Sequence, residues 1–200
     1  MQQHGTISSV QFHVLSADDI RSQSTVEVTE TSLYRRNVPI DNSIMDLRMG
    51  THMRLPCKTC FQTTRCPGHP GHIELNHPMY HPLFLNATYS ILRSVCHWCS
   101  KPLTGKKICD HCEGPVGKML KRAGDGVKAL TAVYDDPDCP PMSPQRAYDI
   151  LSQVDTEWVK HQFGFDLSNA CDLMIKALVV PPICIRLTVM VKHIGPKELA

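Results

Sequence analysis

The feature that most constrains this chain is a run of four metal-binding residue types within a short segment. The run reads Cys57-Lys-Thr-Cys60, five further residues, and then Cys66-Pro-Gly-His69. Two short turns of this kind can each offer two ligands to one tetrahedral zinc ion at roughly 2.0 to 2.3 Å without a large core to hold them. The Pro-Gly dipeptide favours a tight turn that aims the second pair of ligands inward. The spacing predicts a structural zinc site over residues 57–69.

A second group of cysteines has zinc-ribbon spacing. Cys96 and Cys99 form one Cys-x2-Cys pair, and Cys109 and Cys112 form another after a gap of nine residues. The gap is short, but a proline and a glycine within it can turn the chain so that both pairs reach one ion. The sequence therefore predicts a second zinc site over residues 96–112. A redox role for either pair would need a βαβ context, which the sequence does not indicate, and a redox-active thiol of low pKa, against which tightly bound zinc argues.

The other cysteines and a neighbouring histidine are predicted to have structural roles. Cys139, Cys171 and Cys184 have no paired spacing, so we expect them to be small buried apolar residues. His72 lies close to the first group, but Cys-x2-His makes the tighter turn, and we therefore prefer His69 as the ligand.

Ten cysteines could also indicate disulfides, so the compartment has to be inferred. The N-terminal residues lack the charged and apolar regions of a secretory signal, and no apolar stretch approaches the roughly 18 to 20 residues of a membrane span. We therefore expect an intracellular, soluble protein without membrane contacts. In a reducing compartment, clustered cysteines are more often metal thiolates than disulfides.

Composition predicts a small core and a locally restricted interaction with nucleic acid. The chain has 200 residues, of which 42% are hydrophobic, but 15 prolines and 11 glycines divide it into short elements. Two zinc ions would supply folding free energy that such a core lacks. The formal net charge is only +2, so any contact with nucleic acid should be local or shared with a partner.

Periodicity predicts an α+β fold, a small zinc-stabilised mixed module with short strands. The N-terminal half should contain a strand at 10–14, a helix capped by Ser16, a strand at 26–29, a surface loop at 34–53, a short strand at 73–75, and a helix opened by Pro82 that links the two zinc sites. Leu83, Phe84, Ala87, Ile91 and Val95 should form the buried face of that helix.

The C-terminal half should contain a helical pair that leads to an extended proline-rich segment. Ser143 and Asp155 suit the N-caps of the two helices. The run from Ala177 to Leu187 is apolar with two prolines, which favours an edge segment. Before these helices, residues 114–138 read as a solvated helix or loop, and a basic face that contacts phosphates is the alternative. That face would contain Lys118, Lys121 and Arg122.

Several motifs then follow one another in a recognisable order. Residues 66–75 read CPGHPGHIEL, which is similar to CPGHFGHIEL, and residues 95–99 read VCHWC, which is similar to VCxxC. Further similar segments lie at 10–21, 46–50, 77–84, 162–166 and 174–186. Together these motifs resemble the N-terminal clamp region of the largest subunit of multisubunit DNA-directed RNA polymerases, of the eukaryotic, archaeal and large-DNA-virus type.

The sequence departs from the family pattern in four respects. Leu187 replaces a proline, the first site has one residue fewer between Cys60 and Cys66, and the second site is compact. These differences favour a viral or divergent polymerase. The family signature NADFDGD, whose aspartates hold the catalytic magnesium, does not occur in this sequence, so this chain should be inactive by itself.

The resemblance implies a single clamp domain over residues 1–200 that closes over template DNA and the RNA–DNA hybrid. It implies two structural Zn2+ ions, Mg2+ only in the remainder of the polymerase, and assembly with the second-largest subunit and the rest of the largest subunit. It also implies that Arg186 contacts nucleic acid, although a structural arginine that binds backbone carbonyls is the alternative. The location would be the nucleus for a cellular eukaryotic protein, and the host cytoplasm or virion for a viral one. A freestanding or split zinc-binding paralogue that regulates DNA or a polymerase is the alternative function.

Overall fold

The computed structural model describes residues 14–52, 55–124, 127–134, 139 and 141–186, with no side-chain detail at 122–129. These residues form a mixture of short helices and strands, as predicted. The helices are α1 (Ala17–Gln23), α2 (Leu85–Ser94), α3 (Pro144–Ser152) and α4 (Thr156–Phe163). The strands are β1 (Tyr34–Arg35), β2 (Val38–Pro39), β3 (Gly71–Tyr80), β4 (Lys118–Gly124), β5 (Val127–Val133) and β6 (Met174–Val180). Within the described ranges, no helix is long and apolar enough to cross a membrane. The predicted strand at 10–14 lies almost entirely outside these ranges.

The described residues group into two compact units. The large unit contains the described residues up to Asp19 together with Leu75–Ala177. The small unit contains Ile20–Glu74 together with the described residues from Leu178 onward. Strands β3 and β6 pair with each other, and each strand is divided between the two units. The first Cys/His group therefore lies in the small unit and the second group in the large unit.

The core of the large unit is built by α2, α3 and the β4–β5 hairpin. Ile91 and Leu92 of α2 and Leu151 of α3 are fully buried. They belong to one apolar cluster with Met119 of β4 and Leu130 of β5. Each helix places its apolar residues on one face, so burial of these faces is the main favourable contribution to folding of this unit.

The core of the small unit is thinner. Its apolar cluster has four buried members among the described residues, namely Val26, Val28, Met49 and Val180. The predicted strand at 26–29 is present only as a single parallel bridge between Glu27 and His72. So small a cluster leaves much of the stability of this unit to polar contacts.

The predicted helix caps are confirmed. The Oγ atom of Ser16 accepts a hydrogen bond from the backbone N–H of Asp19 at 3.1 Å, and the Asp19 carboxylate accepts from Ser16 in return. Ser143 caps α3 and Asp155 caps α4 through the same kind of bond. Each cap satisfies a backbone donor that the first helical turn leaves unpaired.

The β4–β5 hairpin corrects the prediction of a helix or loop over residues 114–138. The two strands pair antiparallel along their whole length. Met119 and Leu130 are buried, whereas Leu120 is exposed, which is the alternation of a strand with one face on the core. The sequence signal was the Asp125-Gly126 dipeptide between two such runs, a strong indicator of a two-residue hairpin loop.

Helix α2 begins at Leu85, three residues after the predicted start at Pro82. Before it the chain makes a turn, in which the backbone N–H of Leu83 donates to Nδ1 of His81 at 3.2 Å. The His81 and Phe84 rings pack with their centroids 4.6 Å apart. Leu83 is 82% exposed as a result, so it is not one of the core residues that the sequence predicts.

The segment 34–53 is only partly the surface loop that the sequence predicts. Strands β1 and β2 form a small hairpin at its start, and all of the hairpin except Pro39 is exposed. Further along, Asp46 and Met49 are fully buried. Met49 is drawn inward because it completes the apolar cluster of the small unit.

Strands β3 and β6 form a two-stranded sheet. β3 has ten residues and is longer than the predicted strand at 73–75. β6 ends at Val180, directly before Pro181 and Pro182, which have no backbone N–H to continue a ladder. Residues Ile183–Ile185 then form a single 3-10 turn.

We expect Leu151→Ala to destabilise the protein and Leu83→Ala to leave its stability nearly unchanged. Leu151 is fully buried in the large-unit core, and removal of such a side chain costs about 2 to 5 kcal/mol. The exposed Leu83 provides a control with the same chemical change. Urea denaturation of both variants measures the free energy of unfolding, and equal losses would contradict this description of the core.

Candidate metal centres

The first centre brings together the four residues that the sequence predicts. Cys57 is buried, and Cys60, Cys66 and His69 are partly exposed. Their ligand atoms all lie within 4.8 Å of one another, and Sγ of Cys66 is 3.8 Å from Nε2 of His69. The His72 ring is engaged elsewhere, because its Nδ1 atom lies 2.7 Å from Oγ of Ser24.

The second centre has four sulfur ligands. Cys96, Cys99, Cys109 and Cys112 also lie within 4.8 Å of one another through their ligand atoms. The Sγ atoms of Cys96 and Cys112 are 3.6 Å apart, and those of Cys99 and Cys109 are 3.7 Å apart. These separations are far longer than a disulfide bond of about 2.05 Å.

The ligand separations fit a tetrahedral metal ion. A tetrahedron with metal–sulfur bonds of about 2.3 Å has edges of about 3.8 Å, close to the separations within both groups. Thiolate and imidazole donors in a closed set of four are the ligands that structural zinc sites use. Both groups could therefore hold a metal ion, and zinc suits their chemistry.

The three Cys-x2-Cys turns share one backbone pattern. In the turn from Cys57, the cysteine N–H donates to the carbonyl five residues on at 2.9 Å, and its carbonyl accepts from Phe61. The turns from Cys96 and Cys109 repeat both bonds with distances of 2.8 to 3.0 Å. The fifth residue of each turn has a positive φ, between 56° and 59°. The same local backbone geometry therefore carries each of the three pairs of sulfurs.

Each turn also directs a backbone donor at its first sulfur. The N–H groups of Thr59, Trp98 and His111 lie 3.3 to 3.4 Å from the Sγ atoms of the cysteines two residues earlier. Such donors stabilise a thiolate more than a thiol. In the Cys-x2-His turn, the N–H of Gly68 lies 3.4 Å from Sγ of Cys66 and has the same role.

The thiols within each group differ in acidity. Burial raises the pKa of Cys66 to about 11 and the pKa of Cys96 to about 12. Burial would also raise the pKa of Cys57, but backbone donors hold it below its ordinary value. Donors from its own turn lower the pKa of Cys109 to about 7. In each group the pKa of one thiol is lowered, that of Cys57 or Cys109, and the pKa of another is raised, that of Cys66 or Cys96, so the second needs a cation beside it to ionise.

Two residues inside the second centre hold it against the large unit. His97 is buried, with Nε2 2.9 Å from the carbonyl oxygen of Leu92 and Nδ1 2.8 Å from the hydroxyl of Tyr134. Since a carbonyl can only accept, Nε2 carries the proton and Nδ1 accepts from Tyr134. Burial lowers the pKa of His97, which keeps the ring neutral. Trp98 is held in turn by the Arg146 guanidinium, which lies 4.7 Å from its ring centroid.

The first centre is packed against the residues that follow β6. A Cβ atom on Gly68 would lie 2.5 Å from Sγ of Cys184 and 2.6 Å from Cβ of Pro182. The thiol of Cys184 also donates to the Pro67 carbonyl at 3.5 Å. Contrary to the prediction of a buried residue, Cys184 is exposed, while Cys171 is buried and Cys139 is partly exposed. The glycine in this turn is required by this close approach as well as by its φ of 83°.

A buried carboxylate orders the loop that carries the first centre. Asp46 accepts hydrogen bonds from the backbone N–H groups of Asn42 at 2.6 Å and Arg48 at 2.8 Å, and from the Arg48 guanidinium. Burial opposes ionisation, but these donors hold the pKa of Asp46 below its ordinary value. The ordered loop then supplies the carbonyl of Arg48, which accepts from Oγ1 of Thr59 at 2.7 Å.

The anchoring residues were not predicted from the sequence. The positions of His97 and Trp98 inside a Cys-x2-Cys turn could have drawn attention, since neither residue type is needed to make the turn. Asp46 lies in a segment that matched a family motif, but its role depends on contacts with the backbone that spacing does not show.

Three of the four predicted nucleic-acid contacts belong to strand β4, and the fourth, Arg186, belongs to the small unit. Lys118 is exposed on β4, and the side chain of Arg122 is outside the described part of the chain. Lys121 donates to Oδ1 of Asn86 at 2.7 Å and lies over the Tyr89 ring. The contacts of Arg186 are internal to the small unit. Its Nε atom donates to the Pro181 carbonyl at 2.9 Å, and a second nitrogen donates to the Ile44 carbonyl.

We expect Asp46→Asn to lower stability near neutral pH by about 2 kcal/mol, the typical value of hydrogen bonds to a charged group. The folded-state pKa of Asp46 is depressed, so its contribution is present above the unfolded value of about 4 and is lost as pH falls through the folded value. The difference in free energy of unfolding between wild type and variant should therefore shrink at acid pH. The exposed Asp41→Asn is the control and should change little. A difference that is constant with pH would contradict this role.

Comparisons with known proteins identify the family of this chain. The family model "RNA polymerase Rpb1, domain 1" matches residues 4–107, which include the whole first centre and the first cysteine pair of the second. An RNA polymerase II subunit RPB1 from Euplotoides octocarinatus is 36% identical over 64% of this chain and 26% of its own length. The RPB1 homolog of an African swine fever virus isolate is 29% identical over 92% of this chain and 14% of its own length. Subunit RPA190 of RNA polymerase I from Saccharomyces cerevisiae is 42% identical over 46% of this chain and 6% of its own length.

This chain therefore spans only a small part of each of these relatives, at most 26%. The family match covers residues 4–107, which is more than half of the 200 residues. On that match, the chain belongs to the RNA polymerase Rpb1 domain 1 family.

Proposed function

We propose that this chain forms the clamp portion of the largest subunit of a DNA-directed RNA polymerase. The observation that carries the proposal is the match of residues 4–107 to the Rpb1 domain 1 family. The clamp closes over template DNA and the RNA–DNA hybrid and keeps the polymerase on DNA during transcription. Its partners are the rest of the largest subunit, the second-largest subunit and the nucleic acid. Its location is the nucleus in a eukaryotic cell, or the host cytoplasm or virion for a virus.

The proposal includes two structural zinc ions. Cys57, Cys60, Cys66 and His69 would hold one ion, and the four cysteines of the second centre, Cys96, Cys99, Cys109 and Cys112, would hold the other. The fit of the ligand separations to a tetrahedron and the shared turn geometry support this assignment. When bound, zinc stabilises the thiolates and cross-links segments that a thin core holds weakly.

In this proposal the chain has a mechanical role and contributes no catalytic group. The magnesium of nucleotidyl transfer belongs to the remainder of the polymerase. A clamp must move as a stiff body, because flexing within it would absorb the motion that closes the cleft. The contacts of His97 and Trp98 in the large unit, and of Gly68 in the small unit, give each centre a rigid attachment to its own unit.

Four basic residues remain candidates for contact with nucleic acid. Lys118 suits this role best, because its side chain is exposed. Lys121 is exposed beside Asn86, and Arg122 follows it on the same strand. Arg186 would have to exchange two backbone carbonyls for a phosphate, so we expect it to contribute mainly to packing.

The zinc content tests the two centres. We expect two zinc ions per chain after gentle purification, and Cys57→Ser and Cys112→Ser should each remove about one, because each breaks a closed set of four ligands. Cys139→Ser is the matched control, since this partly exposed cysteine belongs to neither group. Metal analysis and the absorption spectrum of the cobalt-substituted chain measure the outcome. A wild-type chain without zinc, or without tetrahedral thiolate coordination of cobalt, would disprove the metal assignment.

Association tests the polymerase role. The tagged chain should co-purify with the second-largest subunit, and within the assembled enzyme Cys60→Ser should shorten the lifetime of open complexes severalfold. The nucleotide addition rate and its dependence on magnesium should be unchanged, because in this proposal the groups that bind the catalytic magnesium belong to the remainder of the polymerase. Cys139→Ser is again the control. A chain that never associates with polymerase subunits would rule out the clamp role, and one that binds only DNA or an intact polymerase would favour a freestanding regulator.

A further inference from the structure

The β1–β2 hairpin of the small unit projects two neighbouring arginines. Its register pairs Tyr34 with Pro39 and Arg35 with Val38, so Arg36 and Asn37 form the two-residue turn. Both turn residues have a positive φ, of 49° and 64°, as the type I′ turn of a hairpin requires. The turn is thus as short as a hairpin allows, which places Arg35 and Arg36 next to each other at the tip.

Both arginines are available to a ligand. They are exposed, and the described part of the chain contains no carboxylate or carbonyl that pairs with either guanidinium. The other guanidinium groups of this unit described above differ in this respect, because Arg21 pairs with Glu74 and Arg48 with Asp46.

An open groove of about 1090 Å³ lies beside the hairpin. Arg35, Arg36 and Lys58 contribute cationic groups to it, and Ser32 and Asn42 contribute neutral polar groups. Asp41 also lines the groove, but its carboxylate is paired with the Lys58 ammonium at 2.5 Å. Glu30 is a second acidic residue of the lining. With Asp41 paired to Lys58, the two arginines outweigh Glu30 and give the groove its net positive charge.

The groove also contains an exposed aromatic ring that is held in place. Tyr34 is 42% exposed, and its hydroxyl lies 3.2 Å from Nε2 of His52. The two rings have centroids 5.4 Å apart and are tilted by 42°. A fixed aromatic face beside unpaired guanidinium groups is the combination that proteins use for unpaired nucleotides, in which bases stack and phosphates accept bidentate hydrogen bonds.

We propose that this groove binds single-stranded nucleic acid. Arg35 and Arg36 contact phosphates, and Tyr34 stacks on a base. A single strand fits better than a duplex, because the basic surface is confined to one short hairpin and the chain as a whole has a net charge of only +2. The proposal rests on the proposed function to the extent that a transcribing enzyme exposes single-stranded nucleic acid near its subunits.

Fluorescence anisotropy of the zinc-loaded chain with a labelled single-stranded RNA, about twelve nucleotides long, tests the site. The double variant Arg35→Ala with Arg36→Ala should weaken binding at least tenfold, and the slope of log K against log salt should become shallower by about 0.7 for each phosphate that an arginine no longer neutralises. Tyr34→Ala should weaken binding at least fivefold with little change in the salt slope, whereas Tyr34→Phe should retain most of the affinity because the stacking face remains.

A double variant that removes the same charge elsewhere is the matched control. Arg93→Ala with Lys160→Ala removes two positive charges from helices of the large unit, and it should leave affinity within about twofold if binding is local. Circular dichroism and zinc content of every variant establish that the fold is retained. Single-stranded DNA, the same RNA in a duplex and poly-glutamate serve as competitors, and only the single strands should compete efficiently.

The proposal would be overturned if single strands did not bind saturably, or if the hairpin variant and the control variant weakened binding equally. It would also be overturned if poly-glutamate competed more efficiently than single strands, since that result would indicate an acidic protein partner. Co-purification of the hairpin variant with polymerase subunits separates this site from the proposed function. Loss of RNA binding by a variant that still associates supports the site and leaves the clamp role intact. A wild-type chain that associates but binds no single strand refutes the groove alone.

Discussion

The close approach of eight ligand side chains in two sets is the constraint on which the rest of the structure depends. Sulfur atoms separated by 3.6 and 3.7 Å would repel one another as thiolates, and burial raises the pKa of Cys96 in this set and of Cys66 in the other. A divalent cation removes both difficulties, since its charge stabilises the thiolates that its coordination requires. The apolar cluster of the small unit has only four buried members in the described ranges, so this coordination would be a large part of the unit's stability.

The backbone bonds within each turn hold its pair of cysteines in place, so their position does not depend on a large core. Three turns in different parts of the chain use the same pair of backbone bonds, the same positive φ and the same donor to the first sulfur. Because an unfolded chain rarely contains such a preformed site, the free energy of metal binding to these turns would contribute to folding. The Cys-x2-His turn differs because Gly68 must also accommodate Pro182 and Cys184.

Each centre is attached to its unit by hydrogen bonds and a cation–π contact from residues that are not metal ligands. In the large unit, a neutral buried histidine joins α2 to the residue after β5, and a cation–π contact joins Trp98 to α3. In the small unit, the buried carboxylate of Asp46 orders a loop whose carbonyls then hold the Cys57 turn. These contacts attach each candidate metal site to the core of its own unit.

The sequence by itself determined the features that depend on spacing and local backbone chemistry. Both ligand sets follow from Cys-x2-Cys and Cys-x2-His spacing, and the helix starts at Ser16, Ser143 and Asp155 follow from side chains that cap the next turn. The family followed from ordered motifs. Such features need information from only a few neighbouring residues, which is why they could be predicted.

Only the tertiary structure decided the features that depend on distant partners. Leu83 is exposed and Met49 is buried because of the surfaces available to them, and the β4–β5 hairpin is stabilised by burial of one face on the large-unit core. The sequence placed Cys184 inside the protein, yet it lies exposed beside Gly68, more than a hundred residues earlier in the chain. Hydrophobic burial and close packing are set by which segments meet in space, and a linear pattern does not contain that information.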